Sequence, residues 1–106
     1  MVNPDTIEAQ MQSGISTGLS QALLEELTVV DGKAVQSNFH DYSILPPRLM
    51  PEVEVKIVES GAAIGGIGEP GTPPTAAAVA NALFKLTGQR VRRLPMKHYE
   101  FSLTTA

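Results

Sequence analysis

The chain contains 106 residues and has a mass of 11.3 kDa, which suffices for one domain but not for two domains with separate cores. Its hydrophobic fraction of 42% and charged fraction of 18% argue against a wholly disordered chain or a coiled-coil rod. The absence of cysteine excludes disulfides, thiolate metal sites and a cysteine nucleophile. We therefore expect residues 1–106 to form a single domain or a part of one.

Acidic and basic residues are unevenly distributed along the chain. Residues 1–60 carry nine acids and three bases, a net charge of −6, whereas residues 61–106 carry two acids and five bases, a net charge of +3. The bases cluster in residues 90–97, but the acidic total and the scarcity of aromatic residues disfavour nucleic acid as a partner. No stretch approaches the length of a membrane span. The compartment, cytoplasmic or periplasmic, is left open.

The N-terminal sequence predicts a long helix that Asn3 or Asp5 can cap. Apolar residues recur at every fourth position and predict its buried face, namely Ile7, Met11, Ile15, Leu19, Leu23 and Leu27. Gly14, Gly18 and Ala22 form a second ladder. Because each glycine costs about 1 kcal/mol relative to alanine inside a helix, these glycines indicate close approach of another backbone or a ligand, or tight helix packing alone.

Two β elements are predicted after this helix. Asp31-Gly32 lies between apolar segments and predicts a type I′ hairpin, which should end the helix near Glu26. Residues 37–51 are rich in proline and predict an irregular crossing. Residues 53–58 show the period-two alternation of a strand with one buried face.

A glycine-rich loop over residues 61–71 precedes a second predicted helix over residues 75–87. Thr72 can cap this helix, and Gly88 can close its other end. Residues 94–103 predict a partly extended tail. The order of helix, hairpin, further strand, glycine-rich loop and second helix predicts an α+β fold.

Residues 66–71 satisfy the G-x-G-x-x-G pattern of a dinucleotide-binding turn. However, Glu69 adds a negative charge where a pyrophosphate would bind, and Pro70 removes a backbone donor. No acid follows about 20 residues later, where the fingerprint requires one for the ribose. A nucleotide-binding domain is therefore the weaker alternative.

Glu69 is the candidate catalytic residue of this loop. The surrounding glycines allow another group to approach the backbone closely, and the prolines fix the direction of the chain. Such rigidity suits a general base, whereas the structural alternative is an acid stabilised by the dipole of the following helix. The residues alone leave both interpretations open.

Five segments together carry a resemblance to a known family. Residues 66–74, with Asn81-Ala82 in the following helix, resemble the C-terminal part of the molybdenum-binding subunit of the xanthine dehydrogenase and aldehyde oxidase family. Earlier segments agree in order, namely residues 2–5, 9–14 and 36–42. The resemblance extends from Val2 to about Leu103. Within the family, this sequence is most similar to the branch of isoquinoline 1-oxidoreductase beta subunits.

This resemblance implies a C-terminal fragment of a molybdopterin-binding domain, from an enzyme that hydroxylates an N-heteroaromatic compound or an aldehyde with oxygen from water. Glu69 matches the glutamate that acts as general base in this family. Gln10 matches a position that hydrogen-bonds the pterin, and Gly68, having no side chain, would allow close backbone approach beside the metal. No residue of the chain is predicted to ligate a metal.

The resemblance also implies partners and a cofactor. In the complete enzyme we expect molybdopterin, in its cytosine dinucleotide form, together with the remainder of the molybdenum subunit, an iron–sulfur subunit and a small-molecule substrate. The isolated chain should be inactive and bind no cofactor. The alternative is a non-catalytic module that docks onto another subunit, and the isolated chain could also associate with itself.

Overall fold

Residues 1–103 are described by a computed structural model. Over this range the chain forms two α-helices, two short strands and two 3₁₀ turns, which are α1 (Pro4–Leu23), β1 (Val29–Val30), β2 (Lys33–Ala34), a turn at Pro47–Leu49, α2 (Thr75–Thr87) and a turn at Met96–His98. The predicted α+β class is confirmed. No helix within these residues is long and apolar enough to cross a membrane.

Helix α1 begins where local chemistry predicts it. Asn3 is the N-cap, and its Oδ1 accepts a hydrogen bond from the Thr6 N–H at 3.1 Å. The helix ends at Leu23 rather than near Glu26, because Leu24 adopts φ −129° and leaves the helical conformation. The predicted end was therefore too late.

The predicted hairpin is confirmed as a minimal antiparallel pair. Val29 pairs with Ala34 and Val30 with Lys33. Asp31 and Gly32 have φ values of 49° and 75°, so both central residues adopt the positive φ of a type I′ turn.

The predicted strand over residues 53–58 is wrong within the part of the chain that the structure describes. Val53 and Val55 are half-buried while Glu54 and Lys56 are exposed, but Ile57 is exposed as well, so the alternation of burial extends only over residues 53–56. A strand also needs a neighbouring backbone to complete its hydrogen bonds, and no described segment provides one here. The alternation in the sequence predicted which side chains of residues 53–56 are exposed, but it could not show whether a second strand lies beside them.

Helix α2 has the predicted bounds, and Gly88 closes it in the left-handed conformation at φ 70°. The predicted cap is wrong, since Pro74 occupies the N-cap position and no side chain caps α2. Thr72 instead directs its hydroxyl to α1.

The buried part of the molecule is small and lies where α1 meets α2 and the C-terminal segment. The buried hydrophobic residues among those described are Leu19, Ala22 and Met96. On α1 the most buried positions are on the face of Gly14, Gly18 and Ala22, whereas the predicted apolar stripe is mostly half-buried. Small residues, rather than large ones, thus form the closest helix contact.

Candidate functional site

The turn that precedes α2 lies directly against α1. A Cβ added to Gly14 would lie 3.2 Å from the Gly71 Cα, and a Cβ added to Gly18 would lie 2.7 Å from the Thr75 Cβ and 2.8 Å from the Thr72 O. We call these five residues the glycine contact. Of the alternatives that the glycines of α1 left open, close approach of another backbone is the one observed, and the approaching backbone is the turn of this same chain.

Two threonine hydroxyls complete the glycine contact. Thr72 Oγ1 donates a hydrogen bond to the Gly14 carbonyl oxygen at 3.0 Å, across 58 residues of sequence. Thr75 is buried, and its Oγ1 donates to the Gly71 carbonyl oxygen at 2.7 Å. Each hydroxyl therefore provides a donor for a glycine carbonyl oxygen, at the point where the turn and α1 are in close contact.

Glu69 lies in the turn held by this contact. Its carbonyl oxygen accepts a hydrogen bond from the Thr72 N–H at 2.9 Å, which closes the turn. Its side chain is exposed, and its carboxylate forms no hydrogen bond or ion pair with any residue between 1 and 103. The backbone of Glu69 is thus fixed while its carboxylate stays free to meet a ligand.

Gln10 and Gly68 lie beside the same contact. Gln10 is exposed on α1 and precedes Met11, whose carbonyl oxygen would lie 3.0 Å from a Cβ added to Gly71. Gly68 precedes Glu69, and a Cβ added there would meet nothing within 4 Å. The fold therefore brings the segments that carry all three predicted site residues to one region of the surface, and the roles of these residues remain predictions.

A groove of about 930 Å³ lies between the start of α1 and the glycine-rich loop. Its lining includes Asn3, Thr6 and Ile7 on one side and residues 57–67 on the other. Neither Gln10 nor Glu69 lines it, although the lining reaches Ile67, two residues before Glu69. Glu69 consequently stands outside this groove and faces the surface.

The described residues lack the strand that precedes the glycine-rich turn in a dinucleotide-binding site. That fingerprint needs a strand before the glycines, and no strand is formed over residues 53–58. Gly71, the last glycine of the pattern, packs on α1 instead of lining an open phosphate site. This arrangement disfavours the nucleotide-binding alternative.

The sequence interpretation missed the structural roles of Thr72 and Thr75. A signal was present, because Gly71 and Thr75 are four residues apart, as are Gly14 and Gly18, and each member of one pair lies against a member of the other. Small residues at such spacing on two elements are typical of two backbones that pack closely. The pairing itself joins distant parts of the sequence and could not be read from either segment.

Comparison with known proteins gives the chain its relatives. The profile of the family described as "Molybdopterin cofactor-binding domain" matches residues 1–51. The chain is 41% identical over 97 residues to the isoquinoline 1-oxidoreductase subunit beta of Brevundimonas diminuta, an alignment that covers 92% of this chain and 12% of the relative. It is 33% identical over 104 residues to the aldehyde oxidoreductase molybdenum-binding subunit PaoC of Escherichia coli (strain K12), covering 91% of this chain and 14% of that subunit.

A solved structure supports the same relationship. The crystal structure of quinoline 2-oxidoreductase from Pseudomonas putida 86 is similar to this chain with a TM-score of 0.75 and 29% identity, over 91% of this chain and 13% of that one. The chain thus spans between about a twelfth and a seventh of the lengths of the relatives it matches. The predicted resemblance is confirmed: the chain belongs to the molybdopterin-binding subunits of the xanthine dehydrogenase and aldehyde oxidase family.

Proposed function

We propose that this chain is part of a molybdenum hydroxylase in which Glu69 is the general base. The reaction would add oxygen from water to an N-heteroaromatic compound or an aldehyde. The observation that carries the proposal is a free carboxylate on a turn that packs against the helix bearing Gln10. The names of the relatives, which include isoquinoline, nicotinate and aldehyde enzymes, support these two substrate classes.

The residues beside the glycine contact suit a molybdopterin cofactor. The Gln10 amide is exposed and makes no hydrogen bond to another described residue, so it can both donate to and accept from a pterin ring. Gly68 leaves open space where a side chain would otherwise stand. We infer that Gln10 and Gly68 would lie against the cofactor, in its cytosine dinucleotide form. When bound, the cofactor would supply the two-electron redox chemistry that no side chain provides.

The role of Glu69 follows from its charge and its fixed backbone. A carboxylate without an ion-pair partner can accept a proton from a group that lies about 2.6–3.2 Å away. Because the Thr72 N–H holds the Glu69 carbonyl, fewer orientations of the side chain compete with the productive one. Positioned general-base catalysis typically contributes about 10²–10⁴-fold to a rate.

The proposed enzyme also needs components outside this chain. Several relatives carry the word subunit in their names, which supports a multi-subunit assembly. Iron–sulfur clusters are held by cysteine thiolates, and the 106 residues contain no cysteine. We therefore propose that the remainder of the molybdenum subunit and an iron–sulfur subunit complete the enzyme.

The test is Glu69→Gln in the assembled enzyme, since glutamine keeps the size of the side chain but cannot act as the base. We expect the rate to fall at least about 10²-fold while the molybdenum content is unchanged. Glu52→Gln is the matched control, because Glu52 is also an exposed glutamate outside the glycine contact. Activity of Glu69→Gln within tenfold of wild type, about 1.4 kcal/mol in the barrier, would contradict an essential base.

A further inference from the structure

We propose that Thr72 is a positioning residue that orients Glu69 by tying its turn to α1, an inference that rests on the proposed function. Thr72 forms one hydrogen bond through its backbone and another through its side chain. Its N–H donates to the Glu69 carbonyl at 2.9 Å, and its Oγ1 donates to the Gly14 carbonyl at 3.0 Å. One residue therefore links the backbone of the proposed base to the helix that carries Gln10.

The glycines of α1 make this link sterically possible. A Cβ at Gly18 would lie 2.8 Å from the Thr72 carbonyl oxygen, closer than a carbon normally approaches an oxygen. A Cβ at Gly14 would lie 3.2 Å from the Gly71 Cα. Thr72 can reach the helix backbone only because neither position carries a side chain.

The direction of the Thr72 hydroxyl distinguishes positioning from ordinary helix capping. A threonine just before a helix normally accepts a hydrogen bond from the first helical turn. Here α2 has no side-chain cap, and the hydroxyl donates to α1 instead. The Thr75 hydroxyl bonds locally to the Gly71 carbonyl, so Thr72 provides the side-chain hydrogen bond of this turn that crosses to α1.

Loss of this hydroxyl should affect the proton transfer more than substrate binding. The turn would still pack on the glycines, but Glu69 would sample orientations that do not reach the reacting proton. Small displacements of a catalytic group can cost about 10²-fold in rate. The expected signature is a lower kcat with an unchanged KM, because Thr72 itself need not touch the substrate.

The experiment compares Thr72→Val with Thr72→Ser in the assembled enzyme. We expect valine to lower kcat by about tenfold or more, to leave KM and molybdenum content within about twofold, and to speed amide exchange in residues 66–72. Serine keeps the hydroxyl and should restore both kcat and exchange protection. Thr17→Val is the matched control, because Thr17 is exposed and its Oγ1 donates to the Ser13 carbonyl within α1 at 3.1 Å rather than to another element.

The double variant Glu69→Gln with Thr72→Val separates positioning from general loosening. If Thr72 acts through Glu69, valine should lower the residual rate of the Glu69→Gln enzyme no further. An equal loss in both backgrounds, or a normal kcat for Thr72→Val, would overturn the positioning role while leaving the general base intact. Wild-type activity of Glu69→Gln alone would instead overturn the proposed function, and this inference with it.

Discussion

At the scale of single residues, Gly18 has the least room for a side chain among the glycines described. An added Cβ would lie 2.7 Å from the Thr75 Cβ and 2.8 Å from the Thr72 carbonyl oxygen, so the turn would have to move. Alanine gains about 1 kcal/mol in helix propensity, whereas overpacking typically costs about 1–3 kcal/mol. We expect the overpacking cost to cancel or exceed the propensity gain, so Gly18→Ala should lower the free energy of unfolding by up to about 2 kcal/mol, measured by urea unfolding followed through helical circular dichroism.

Two further glycines calibrate this expectation. Gly14→Ala should have a smaller effect, because its nearest neighbour would lie 3.2 Å away. Gly68→Ala is the control and should change the unfolding free energy by less than about 0.5 kcal/mol, since its Cβ meets nothing within 4 Å. If Gly18→Ala were about 1 kcal/mol more stable than wild type, the full propensity gain would be realised without overpacking, and the close approach of the turn to α1 would be contradicted.

Residues whose partners are close in sequence were predicted well. Asn3 bonds to Thr6 three residues later, and Asp31 and Gly32 need only their own backbone conformation. The role of Thr72 was missed because its hydroxyl acceptor is 58 residues away. A threonine hydroxyl can always form a hydrogen bond, but only the folded structure shows that its partner is the Gly14 carbonyl oxygen.

At the scale of elements, the C-terminal segment is held to the end of α1 by a cluster around Glu26. The His98 Nε2 lies 3.0 Å from both Glu26 carboxylate oxygens, the Lys97 Nζ lies 3.2 Å from one of them, and the Arg93 Nη2 lies 3.7 Å away. Lys97 also donates to the Leu24 carbonyl at 3.0 Å. The hydrogen bonds from His98 and then Lys97 lower the pKa of Glu26 below its ordinary value of 4.5.

This lowered pKa predicts acid sensitivity of the segment. Because Glu26 binds its proton more weakly in the folded chain, its contribution is present above pH 4.5 and is lost as the pH falls through the folded value. We expect the C-terminal segment to loosen below pH 4.5, detected by the chemical shift of the methyl group of Met96, a residue that is 3% exposed.

Glu26→Gln tests this assignment directly. The variant should abolish the acid transition at Met96, whereas Glu8→Gln should retain it, because the Glu8 carboxylate accepts a hydrogen bond from Gln12 within α1. The same acid transition in wild type and Glu26→Gln would show that another carboxylate is responsible. Asp41, whose pKa is lowered mainly by the backbone hydrogen bond from Asn38, is the group to examine in that case.

Elements defined by local sequence were predicted more accurately than elements that need a partner. Helix α2 runs from Thr75 to Thr87 as predicted. Its alanine-rich sequence favours the helix and Gly88 ends it, and both signals lie in the same short segment. Residues 53–58 show the alternation of a strand without a ladder in the described chain. Hydrogen-bond partners for such a segment must come from a second backbone, which its own sequence does not contain.

At the scale of the whole molecule, the chain exposes more surface than a compact monomer of the same mass. Its accessible area is 8132 Å², whereas a compact monomer of this mass exposes about 5,700 Å². Its radius of gyration is 16.8 Å, compared with about 13 Å for a compact domain of this length. Large apolar side chains remain exposed, among them Val58, Ile64 and Phe39. This surface supports the proposal that other parts of a larger enzyme cover it.

We therefore expect the 106-residue polypeptide by itself to bind a hydrophobic fluorescent dye. Small-angle X-ray scattering of the monomeric fraction should give a radius of gyration near 17 Å, consistent with the 16.8 Å of the structure. Any self-association should increase with protein concentration. A stable monomer with a radius near 13 Å and no dye binding would argue against both a missing partner and a docking module.

The family could be predicted from sequence because several short segments occur in the family's order along nearly the whole chain. The chain covers 12% of the Brevundimonas relative and 13% of the quinoline enzyme's chain, and its assignment as a fragment of one domain stays a prediction. The substrate could not be predicted more narrowly, since the described residues supply an exposed carboxylate at Glu69 but no enclosed site around it. Specificity would depend on surfaces that lie outside these 106 residues.

The most direct measurement of the central proposal is an experimental structure of the assembled enzyme with its molybdenum cofactor bound. We expect a Glu69 carboxylate oxygen to lie within about 2.6–3.2 Å of the cofactor's reactive face, or one bridging water away. We also expect that Thr72 still bonds to the Gly14 carbonyl in that state. A Glu69 side chain that faces solvent, with another residue beside the metal in its place, would contradict the account.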